Sequence, residues 1–76
     1  MNAIMITGLI GEDNFAELLI GFPDEFFSMN KQVQEELWRL ILMQINRGVR
    51  EVEKLINFAK LWIVLYQAEK EQATPY

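Results

Sequence analysis

Gln44-Ile45-Asn46-Arg47-Gly48-Val49-Arg50-Glu51 decides how this chain folds. From Lys31 to about Gln72 the residues favour helix, and Gly48 alone argues against it. If Gly48 takes the left-handed conformation that ends a helix, residues 31 to 46 fold back on residues 49 to 72 as a helical hairpin. If the helix runs through, the glycine costs about 1 kcal/mol relative to alanine, and the rod is roughly 65 Å long at 1.5 Å per residue.

Continuity is favoured by phase. Trp38, Ile41, Ile45, Gly48, Val52, Leu55, Ala59, Trp62 and Tyr66 keep alternating three- and four-residue spacing, and no Ser, Thr, Asp or Asn follows Gly48 to cap a new helix. Length favours the break, because an average helix has about 11 to 12 residues and the preceding thirty residues are too few to cover a rod of that size. The expectation is therefore a break or sharp bend at Gly48, with a continuous helix as the alternative. Glu35 and Arg39 form a favourable i,i+4 pair on the solvated side.

Working outward toward the N-terminus, Ser28 or Asn30 can cap the long segment. Before it, Pro23 suits a first helical turn, predicting a short helix over about 23–29 that carries Phe26 and Phe27. Phe15, Leu18, Leu19 and Phe22 recur at helical spacing after Asp13 or Asn14, with Glu17 placed as in a capping box. That predicts another helix over about 13–21. Residues 1–11 hold Gly8 and Gly11 without a sustained period and read as a loosely structured arm. At the other end, Pro75 predicts a frayed tail over 73–76. The expected fold is all-α: one small helical domain over 1–76, completed as a bundle by dimerisation.

Composition narrows the function. The 76 residues include no cysteine and no histidine, which removes disulfides, thiolate or imidazole metal sites, and Ser-His or Cys-His nucleophile pairs. No catalytic residue, cofactor or metal is expected; Glu12, Asp13 and Glu17 lack the loop pattern of calcium ligands and read as solvated charge. Eleven acidic against seven basic residues disfavour non-specific attraction to phosphate or anionic lipid. The cysteine-free chain has no basic start or small-residue cleavage site near its N-terminus, and a cytoplasmic location is the expectation.

Two stretches remain apolar around the whole helix circumference: "LILMQI" at 40–45 and "LWIVLY" at 61–66. A helix apolar on every side must be enclosed on every side. The run from Leu55 to Tyr66 contains Lys60 and falls well short of the roughly 20 residues needed to cross a bilayer. One shared core hides one belt; the other, at about 1.5 to 3 kcal/mol per large side chain, needs a second copy or a partner.

The functional expectation is a non-enzymatic protein–protein interaction module: an adaptor, an assembly factor or a small inhibitor. Phage and mobile elements encode such chains, an association of size and composition alone. Its interface is expected at Trp38, Ile41, Ile45, Val52, Leu55, Trp62 and Tyr66, with Phe26 and Phe27 as a second contact and a homodimer as one form. The alternative is a dimeric nucleic-acid-binding regulator using Arg47, Arg50 and Lys54, although Glu51 and Glu53 interrupt that cluster.

Overall fold

A computed structural model describes residues 2–72, with side chains from 3 to 70. Among these residues there are five helices and no strand: α1 (Asn2–Ile10), α2 (Glu12–Gly21), α3 (Asp24–Phe27), α4 (Lys31–Asn46) and α5 (Val52–Gln72). The expected tail over 73–76 lies outside them.

Gly48 ends α4. Its φ of 103° lies in the left-handed region. Its N–H donates to the Ile45 carbonyl at 3.0 Å, and the Val49 N–H donates to Gln44 at 2.9 Å. These are the paired bonds of a Schellman termination, which satisfies carbonyls that a helix end leaves open. Val49 then packs against the core. The unbroken phase across Gly48 is explained without a continuous helix, since both halves of the seam bury residues in one core. At the start of α4, Asn30 accepts from the Gln32 N–H at 2.8 Å and supplies the side-chain cap.

Residues 2–10 are helical, contrary to the expectation of a loose arm. The segment has no charge to mark a solvent face, so its pattern carries no amphipathic period. Burial supplies the missing order. Ala3, Ile6 and Ile10 lie at helical spacing and are all buried, and α1 packs on α4 and α2. Side chains from outside α1 hold its carbonyl end: Asn14 Nδ2 donates to Ile10 O at 2.8 Å, and, from far along the chain, an Arg50 guanidinium N–H donates to Leu9 O at 3.3 Å. Asn14 thus caps the helix before it rather than opening the one expected at 13 or 14. Helix α2 begins at Glu12, its N-cap being Gly11 (φ 91°), with no side-chain cap bond.

Helix α3 is one turn, shorter than the expected 23–29, but it places Phe26 at the centre of a ring cluster. Trp38 is the hub. It stacks on Phe22 at 5.0 Å between centroids, meets Phe26 edge-on at 5.6 Å and Phe15 at 5.6 Å. Such pairs contribute about 0.5–1.5 kcal/mol each beyond the area they bury. The core extends from these rings through Leu18, Leu37, Ile41 and Ile45 to Leu55, Ala59 and Ile63 of α5. Helix α5 packs on α2 and α4, and α2 approaches it closely at Gly21: a Cβ there would overlap Ile56 Cδ1. On the solvated side Arg39 pairs with Glu36 at 2.6 Å rather than with the expected Glu35.

Candidate interaction surface

Helix α5 buries one stripe of its circumference and leaves an equally apolar stripe outside. Leu55, Ala59 and Ile63 recur every fourth residue and face the core, with Val52, Ile56, Phe58 and Trp62 half-buried beside them. Leu61 lies two residues before Ile63, about 200° round the helix, and so points the other way. It is 59% exposed, Val64 60% and Leu65 57%, against 2% for Ile63. Ala68 extends the outer stripe by one turn and is also exposed. The spacing of Leu61, Val64, Leu65 and Ala68 is that of a helix face which packs on another helix.

Trp62 and Tyr66 form one border of this stripe. Their rings stack at 5.3 Å with an interplanar angle of 14°, and Lys70 Nζ stands 5.8 Å from the Tyr66 centroid. Tyr66 also lines a shallow groove with Met29 and Val33, so the C-terminal half of α5 runs back along the start of α4. Lys60 and Glu69, both exposed, lie on opposite flanks of the outer stripe.

The residues expected at an interface divide into two groups. Trp38, Ile41, Ile45, Leu55 and Phe26 are buried within the single chain and present no surface to a partner. Ile41 and Leu55 were expected at the interface; Ile6, Ile10 and Leu18 from the first two helices belong to the cluster that covers them instead. The segment expected to be a loose arm is what closes the core. Val52, Trp62 and Tyr66 are half-buried, and Phe27 is half-exposed while its ring meets Phe26 edge-on at 5.2 Å.

Leu61, Val64 and Leu65 carry the exposed face, and residue type alone does not single them out. The available signal is geometric: a helix apolar all round has two faces, and the one opposite the shared seam is the one left outside. A second exposed apolar group, Ile4, Met5 and Leu9, lies on the side of α1 away from Ile6 and Ile10. The cluster of Arg47, Arg50 and Lys54 is not a continuous basic patch. Arg50 is engaged with Leu9, Lys54 stands 3.9 Å from Glu51, and both flank the α4–α5 connection.

Among the described residues, no group of three or more carboxylates is placed to hold a metal ion. No helix among them is long and apolar enough to cross a membrane. No family model, curated protein or solved structure matches this chain.

Proposed function

We propose that the protein is a non-enzymatic interaction module whose working surface is the outer face of α5. The carrying observation is that Leu61, Val64 and Leu65 remain more than half exposed on a chain whose core is already closed. Burying what is left of these three side chains is worth about 3–5 kcal/mol to a complex, enough to bias association without supplying all of it. Contiguous apolar patches of this kind on small proteins mark interaction sites. Trp62 and Tyr66 add aromatic edges, the residue types that contribute most at protein interfaces.

The occupant is a helix of another protein or of a second copy, which would complete a helical bundle around α5. A role as adaptor, assembly factor or inhibitor follows from a small acidic chain that acts by occupying a partner's surface. A cytoplasmic setting is proposed on the cysteine-free composition.

The test compares the wild-type chain with Val64→Glu as bait in a quantitative pull-down from host lysate, with circular dichroism as the control for folding. Loss of specific captured protein, or of self-association, in a variant that keeps wild-type helicity supports the reading. A folded Val64→Glu chain that captures the same proteins to the same extent, with unchanged mass in solution, removes it.

A further inference from the structure

The link between the first two helices is one residue short of being helix itself. The Gly11 N–H donates to Thr7 O at 2.9 Å and the Phe15 N–H donates to Gly11 O at 3.0 Å, so helical bonding runs up to Gly11 from both sides. The interruption is Gly11 alone, at φ 91° and ψ 157°, a conformation open essentially to glycine only. Beyond its chain neighbours, nothing lies within 4 Å of where a Cβ would stand. A turn of this one residue to helical φ and ψ joins α1 and α2 into a single helix over 2–21, about 30 Å long.

We infer that Gly11 is a hinge through which two copies exchange α1: each chain straightens there and lays its α1 on α2 and α4 of the other. The receiving surface is the one that α1 occupies within its own chain, so Ala3, Ile6 and Ile10 of the second copy are buried as they are in the closed monomer. The exchange needs no complementarity that the fold does not already contain.

Backbone bonding separates the two forms. In the closed chain the Asn14 side-chain amide donates to Ile10 O at 2.8 Å, Arg50 donates to Leu9 O at 3.3 Å, and no side chain caps α2. In the straightened chain Leu9 O and Ile10 O accept the Asp13 and Asn14 N–H groups directly, and both helix ends at the link are satisfied. Glycine within a helix and the cost of association hold the balance toward the closed chain at low concentration. On the reading of the outer α5 face as a docking surface, the exchanged dimer presents two such faces on one particle and binds a two-sited partner with avidity. The exchange itself does not rest on that reading.

Sedimentation equilibrium of the full chain measures the exchange. The wild type is expected to be monomeric at micromolar concentration and to gain dimer toward millimolar. Gly11→Ala is strained in the closed link and favoured in the straight helix, so it tightens dimerisation by about tenfold or more. Asn14→Ala adds no strain and loses only the side-chain bond that stands in for the helical one; it tightens dimerisation by a smaller factor. The chain has no cysteine, so Ile4→Cys with Ile20→Cys, both at exposed positions, takes a pair of spin labels. With unlabelled chains in excess, the intrachain distance is expected to be longer in the Gly11→Ala dimer than in the wild-type monomer, where α1 packs on α2. The two positions lie about 24 Å apart along a straight helix.

A wild-type chain without dimer at millimolar concentration overturns the inference, as does a folded Gly11→Ala chain that dimerises no more tightly. A dimer whose label distance equals that of the closed monomer also overturns it. If Gly11→Ala fails to fold, Asn14→Ala decides, and dimerisation no tighter than that of the wild type refutes the exchange. Val64→Glu leaves the exchanged contact untouched; a Gly11→Ala dimer that Val64→Glu dissolves is held by the α5 face, and the exchange falls while the docking face stands.

Discussion

Ile63 and Val64 are neighbours in sequence and opposites in consequence. Ile63 is closed into the core, while Val64 on the far side of the same turn stands in water. Ile63→Glu buries an unpaired charge and is expected to unfold the chain, seen as loss of the cooperative urea transition. Val64→Glu should leave the urea midpoint nearly unchanged, within the about 0.5 kcal/mol typical of surface positions, while altering association. Two glycines set further tests at this scale. Gly48→Ala meets no neighbouring atom but must hold φ at 103°, so it is expected to lose about 1 kcal/mol in chemical denaturation through backbone strain alone. Gly21→Ala fails for a different reason. Its new Cβ meets Ile56, costing about 1–3 kcal/mol, and Ile56→Ala in the same chain should recover part of that loss in a double-mutant cycle.

At the scale of the element, α4 and α5 were legible because each carries a seam of period near 3.6 and because a glycine stands where the hairpin needs a left-handed residue. Helix α1 was not legible. Its segment lacks charge, contains Gly8, and gains order only from Ile6 and Ile10 reaching α4 and α2, contacts that local pattern cannot report. Ile6→Ala is therefore expected to cost about 2–5 kcal/mol and to raise amide exchange across residues 2–10 more than across α4. The exposed apolar face of α5 was legible only in part. The stretch 61–66 stood out as too apolar for one core, but the aromatic residues chosen from it lie at the border of the exposed face. The aliphatic residues between them carry it, because a half-buried ring draws attention by size while exposure is decided by angle around the helix.

Across the whole molecule, the first thirty residues do more than the hairpin required of them. With α1 ordered, they close the core around Ile41 and Leu55, so the fold does not depend on a second chain to hide the belt at 40–45. Exposed apolar surface lies on the outer faces of α5 and α1 and, singly, at Ile20, Phe27 and Met43. That separation of core from exposed apolar face gives the two tryptophans different vantage points. Trp38 is enclosed by Phe15, Phe22 and Phe26, whereas Trp62 stacks on Tyr66 beside the exposed stripe. A Trp62→Phe chain should emit at short wavelength and redden only on unfolding. A Trp38→Phe chain should change its emission when the α5 face is covered, while the fold stays intact. The protein carries separate optical reporters for its interior and for its exposed apolar face.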